Sequence, residues 1–273
     1  MGAGRLAKLI RRLSRSLHAR APKSLLLILL LLLIQCAAAS DCKQPLDTDT
    51  LNQLRLGWYP DVQLRPGQTN QFELAILSTY APATKVPACV VWKVEPAGKG
   101  ASIDQKGLLK IDAKTRAGSK FTVTADIEKG RAQREATVLV YTPQTQPLVG
   151  LWEQTEQNDC NTGEKIYHDP IRELDFRASG RFSVTWAPFE VYRDYWGDYS
   201  IDKGKKALSM KIAGGNFVPQ DFHGNGVYKI LDDKTIELRN LYLGTKERGH
   251  PEAALRPLGS HCGYIFKLAS RPE

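Results

Sequence analysis

Few reactive side chains in this chain stand at spacings that imply chemistry. Asp221, His223, Asn225 and Gly226 in "DFHGNG", with Asp232 at the twelfth position, approach the spacing of a calcium loop. Such a loop needs oxygen at its third place, where His223 is a poor ligand for a hard cation, and it sits between helices rather than strand-like runs. A Gly-Asn turn accounts better for the segment, and neither a metal nor a cofactor is expected. His168 with Asp169, His223, His250 and His261 are scattered over loop-like stretches. The patterns H-E-x-x-H, G-x-S-x-G and the phosphate loop are missing. Glu173 and Asp175 share one strand face opposite Leu174 and Phe176, which reads as a solvated face; glycoside hydrolysis would need two acids across a cleft. The expectation is a non-catalytic protein.

Aromatic side chains carry the stronger signal. "RFSVTWAPFEVYRDYWGDYS", residues 181–200, alternates so that Phe182, Val184 and Trp186 share one face, and Tyr195, Gly197, Tyr199 and Ile201 share another. The first reading places Phe182, Trp186, Tyr195 and Tyr199 inside, with Phe189, Tyr192 and Trp196 at a rim or outside. Rings within a small β-structure either fill it solid or line a site for one small apolar ligand, and both readings stand. At the rim, rings near Glu190, Arg193 and Asp194 would stack on a sugar or lipid head, or plug one end.

The ends of the chain bound the compartment. Arg5, Lys8, Arg11, Arg12, Arg15, Arg20 and Lys23 precede an uninterrupted apolar run, Leu25 to Ile34, and the small residues of "CAAAS" follow. A basic head, a short apolar run and a small-residue end form an export signal over residues 1–40, cut near Ala39 or Ser40. The run is shorter than the ~20 residues that span a bilayer. The whole chain carries 38 Lys+Arg against 29 Asp+Glu; without the seven leader cations the balance is 31 against 29. A basic footprint for nucleic acid is therefore not expected. Cys42, Cys89, Cys160 and Cys262 remain after export, an even set that reads as two disulfides in an oxidising compartment.

Beyond the leader, helical periodicity gives way to short alternating runs separated by Gly, Pro, Asn and Asp, the pattern of an all-β protein. "YTPQTQPLVG", residues 141–150, is the cleanest break, so the expected division is 41–146 and 147–273. The second part holds eight candidate strands: 149–156, 171–177, 181–186, 195–202, 207–212, 226–231, 235–240 and 263–268. Short hairpins make them an up-and-down antiparallel meander, and closing it into a barrel removes exposed edges. In such a barrel the first and last strands are antiparallel neighbours. Cys160, just after the first, then meets Cys262, just before the last, leaving Cys42 for Cys89.

Three resemblances sharpen these expectations. "LLIQC" resembles the lipobox of bacterial lipoproteins, which implies a lipid at Cys36 as the alternative to its removal. "ASID..GLLKI", "AGSKFTVTA" and "ATVLV" resemble a bacterial immunoglobulin-like domain, with Trp92 in "VVWKV" at the place of its strand tryptophan; this implies a β-sandwich spacer. Gly150-Leu151-Trp152 resembles the G-x-W pattern of lipocalins and related calycin barrels. That implies a lipocalin-like eight-stranded barrel, Trp152 closing its floor beneath a basic side chain such as Lys267 or Arg271. The joint implication is an exported envelope protein, periplasmic or outer-membrane-associated. It would bind a small apolar or amphipathic ligand, or a protein partner, around Trp152, Phe182, Trp186, Tyr195, Trp196 and Tyr199. A structural or adhesive module with a solid barrel is the rival.

Overall fold

A strand with one face in a core buries every second side chain, and this rule builds most of the molecule. The computed structural model describes residues 45–57, 61–78, 81–166, 170–187, 193–245 and 261–270. The first region opens with a short helix, α1 (Thr48–Gln53), capped by Asp47, whose carboxylate accepts the Thr50 N–H at 2.8 Å. Three small sheets follow. One joins β1 (Leu54–Arg55), β4 (Ala75–Ile76) and β5 (Thr84–Lys85); a second joins β3 (Thr69–Gln71), β8 (Leu108–Ile111) and β7 (Ala101–Ile103). The third has the order β2 (Asp61–Leu64), β10 (Ala132–Val140), β9 (Lys120–Ile127) and β6 (Val90–Glu95), with β2 parallel to β10 and the other pairs antiparallel.

In β9 the residues Phe121, Val123, Ala125 and Ile127 are buried, and in β10 Ala136, Val138 and Val140 are. Trp92 on β6 is buried beside Phe72, ring centroids 6.2 Å apart. Gly107 makes this packing fit. Its φ is +83°, and a Cβ there would lie 2.5 Å from the Phe72 carbonyl and 3.0 Å from the Trp92 ring. Only glycine satisfies both conditions.

The second region is one nine-stranded sheet: β11 (Gly150–Asn158), β12 (Lys165–Ile166), β13 (Glu173–Phe176), β14 (Arg181–Ala187), β15 (Arg193–Asp202), β16 (Ala207–Gly215), β17 (Asn225–Asp232), β18 (Thr235–Arg239) and β19 (Gly263–Ser270). From β13 to β19 each strand pairs antiparallel with the next. β11 pairs with both β13 and β19, so eight strands form a closed circuit of hydrogen bonding. The seam runs from Leu151↔Ser270 to Asn158↔Gly263. The ninth strand was not expected: β12 lies in the polar stretch "NTGEKIYHDP" and pairs with Gln157 and Asn158 at the far end of β11. Two residues are too few for alternation to announce a strand.

Cys160 and Cys262 form a disulfide beside this seam, linking positions 102 residues apart. Cys89 is disulfide-bonded as well; its expected partner Cys42 lies outside the described residues, as do Cys36 and the whole leader. No described helix is long and apolar enough to cross a membrane.

The two regions share no strand pairing, yet both belong to one compact unit, Asp47–Glu273. A polar joint connects them. Arg177, in the β13–β14 turn, places Nε 3.2 Å from Asp61 Oδ2 and donates from Nη2 to the Asp61 carbonyl at 2.7 Å. The Ala178 N–H donates to the Gln63 side-chain carbonyl. Gln146 Nε2, in the connecting segment, donates to the Ala178 carbonyl at 3.1 Å. Asp175 stands 3.6 Å from Arg177 Nη1. Its side chain is only 18% exposed, and burial raises its pKa although Arg177 pulls the other way. This corrects the solvated-face expectation for Asp175: the face that alternation turns outward is covered by the first region's edge.

Candidate functional site

The interior of the circuit is aromatic, and its rings fall into groups at the two ends. At the end joined to the first region, Trp152 is buried and its indole N–H donates to the Leu148 carbonyl at 2.7 Å. Tyr199 packs edge-on against Phe176, centroids 4.7 Å apart, and its hydroxyl donates to the Arg177 carbonyl at 2.9 Å. Burial lifts the Tyr199 phenol well above its ordinary range. Lys267 does not cover Trp152. It is exposed, opposite Glu153 across the seam, whereas Trp152 pairs with Leu268. The one-residue step between them puts Lys267 on the outer face; Arg271 lies outside the described residues.

The opposite end gathers more rings and more polar atoms. Tyr195 is fully buried and meets Phe182 at 6.0 Å, Trp186 at 5.5 Å and Phe222 at 5.7 Å, and Trp186 also meets Phe217 at 5.8 Å. Alternation on β14 and β15 had marked Phe182, Trp186 and Tyr195; Phe217 and Phe222 sit in the irregular segment after β16, where no period points inward. Tyr264 on β19 is buried next to Phe266, centroids 5.9 Å apart, and beside Tyr242 at 6.5 Å. The alternation of Tyr264, Phe266 and Leu268 was the signal that would have found it.

The main chain of one residue ties this end together. Tyr195 donates its hydroxyl to the Leu243 carbonyl at 2.7 Å, and the Leu243 N–H donates to the Tyr264 hydroxyl at 3.0 Å. β15 and β19 are four places apart in either direction around the circuit, so the bonds join opposite walls. Burial drives the pKa values of Tyr195 and Tyr264 far up, and Tyr242 is pushed up to about 12. All three remain neutral hydrogen-bonding groups near pH 7, unsuited to act as bases.

Asp221 lies among them, and its charge adds to the rise at each of the three phenols. It is 5% exposed. Oδ1 accepts the Thr245 N–H at 3.1 Å, while Oδ2 is buried with no hydrogen-bond partner. Gly244 allows that approach: φ is +92°, and a Cβ would stand 2.4 Å from Pro219 and 3.2 Å from Asp221 Oδ1. The residues of the calcium-like spacing go separate ways. Asn225 accepts the Ser209 hydroxyl at 2.8 Å, and the His223 backbone bridges to Tyr242. Among the described residues no three His, Cys, Asp or Glu side chains stand together as metal ligands.

Of the expected binding residues, ring contacts join Phe182, Trp186 and Tyr195, and Phe182 also pairs across from Phe176, against which Tyr199 packs at the end that holds Trp152. Trp196 faces outward, 39% exposed, with its indole over Gly214. Phe189, Glu190, Tyr192, His168, Asp169 and His250 lie outside the described residues. No family model matches this chain, and no curated protein matches it.

Proposed function

We propose that the chain is an exported, non-catalytic protein of the cell envelope. In this reading residues 147–273 form a lipocalin-like, eight-stranded up-and-down barrel that binds a small apolar or amphipathic molecule, or a protein partner, and residues 41–146 form an immunoglobulin-like spacer. The observation that carries the proposal is the closed circuit of eight strands whose interior keeps a carboxylate and phenol hydroxyls among its aromatic rings at one end. A site for a small ligand is mostly apolar with a few convergent polar groups. Gly150 and Trp152 on the first strand, with the indole bonded to Leu148, suit a closed floor at the other end. The Cys160–Cys262 disulfide fits an oxidising compartment. For the spacer, the neighbours β6, β9 and β10 parallel the C-F-G sheet of an immunoglobulin fold, and buried Trp92 sits on its C-like strand.

A structural or adhesive module with a solid interior is the second reading. It is favoured by the ring-to-ring contacts and by the Leu243 main chain bonded to both walls. Native mass spectrometry of protein purified from its own envelope separates the two. A bound mass lost on denaturation supports the carrier; a bare mass supports the module. The same spectrum reports whether Cys36 is acylated or removed.

A further inference from the structure

Burying a carboxylate without compensating partners is costly, since each lost hydrogen bond to the charged group leaves part of its hydration unreplaced. Asp221 is in that condition. It has one hydrogen bond, from the Thr245 N–H to Oδ1, and nothing on buried Oδ2. The tyrosines nearby do not relieve it: the Tyr195 hydroxyl donates to the Leu243 carbonyl, and the Tyr264 hydroxyl, which accepts the Leu243 N–H, makes no bond to Oδ2. No ion pair reaches Asp221 from a described lysine or arginine.

The surroundings supply the rest of the specificity. Phe222 adjoins Asp221 in the chain and packs on Tyr195, which in turn contacts Trp186. A carboxylate next in the chain to this group of rings suits a cation that also has an apolar body. The ammonium donates N–H to the carboxylate, and the rings attract positive charge through their faces. A neutral alcohol gains only the hydrogen bond to the carboxylate and no attraction of charge, and an anionic head group gains neither term. We propose that Asp221 is the anchor for a protonated primary amine, with Oδ2 accepting its N–H, so that the ring selects amines bearing an aliphatic or aromatic tail. This inference rests on the carrier reading and specifies its ligand class.

Three probes with one tail separate the inference from that reading: octylamine, octan-1-ol and octanoate. Each is titrated into the full exported chain by calorimetry, with tryptophan fluorescence as a second readout. Octylamine is expected to bind at least about tenfold tighter than octan-1-ol, the increment of one charge-assisted hydrogen bond, with octanoate weakest. Asp221→Asn should bring octylamine down to about the affinity of octan-1-ol and weaken octan-1-ol far less than it weakens octylamine. The variant should melt no lower than the wild type, since the amide oxygen still accepts from Thr245 and the buried charge is gone. Equal binding of all three probes keeps the carrier and overturns the amine site. Binding of none overturns both. Should Asp221→Asn fail to fold, the order of the three probes on the wild type decides alone, and octanoate at or above octylamine overturns the proposal.

Discussion

The two ends of the eight-stranded circuit bury charge in opposite ways. At the joined end, Arg177 is flanked by Asp61 and Asp175 and also reaches the Asp61 carbonyl, so each charge has a partner. At the other end, Asp221 keeps one oxygen unpartnered among aromatic rings. Compensated burial is what holds a scaffold in register; uncompensated burial costs stability and persists where something besides stability is served. The contrast separates a structural joint from a candidate site without any catalytic motif.

The largest test concerns the frame of the Asp221 end. Replacing Cys160 and Cys262 by Ser opens a connection of 102 residues, and chain entropy puts the loss at about 4–5 kcal/mol in denaturant unfolding. A loss confined to a fraction of that would mean the seam is held by pairing alone. At the joined end, Arg177→Met strands Asp61 and Asp175 as buried carboxylates without their cation, at a cost of about 3–5 kcal/mol. An effect below 1 kcal/mol would make the joint a surface contact and dissolve the comparison.

Smaller effects sharpen it. Tyr195→Phe leaves the Leu243 carbonyl without its donor and should cost about 1–3 kcal/mol in the same measurement. Asp175→Asn addresses pH. Burial raises the folded pKa of Asp175 above its ordinary 3.8, so the folded state holds this proton more tightly than the unfolded one. Its contribution therefore favours folding at low pH and is lost as pH rises through the folded pKa. Urea unfolding from pH 7 down to pH 4 should show the wild type gaining stability relative to Asp175→Asn; parallel curves would mean that Arg177 cancels burial, and a relative loss that it outweighs burial. Trp196→Ala, on the outer face, should change stability by no more than about 0.5 kcal/mol.

What alternation can reveal was legible in the sequence, and what depends on a neighbouring surface was not. Phe182, Trp186, Tyr195 and outward Trp196 fall where period two puts them, although it fails at Thr185, which is buried beside a bulge in β14. The Cys160–Cys262 bond followed from strand order, since a meander that closes must place its ends together. Asp175 was misread because its cover comes from β2, more than a hundred residues earlier. Asp221 was weighed only as a loop ligand; its burial depends on Gly244 folding back over Pro219, which no local pattern announces. A family pattern offered Lys267 or Arg271 to Trp152; a single step of register places Lys267 outside, and Arg271 lies beyond the described residues.

The main chain of Leu243 has one more consequence. A residue whose own N–H and C=O are held from opposite strands sets the distance between those strands at that height, as a gauge block sets a caliper. Both grips are on main-chain atoms, so that distance is encoded in the number of residues between Leu241 and Thr245 rather than in their identity. Exchanging Leu243 for another apolar residue leaves the gauge in place, whereas inserting one residue swings those atoms away and frees the walls to choose their own width.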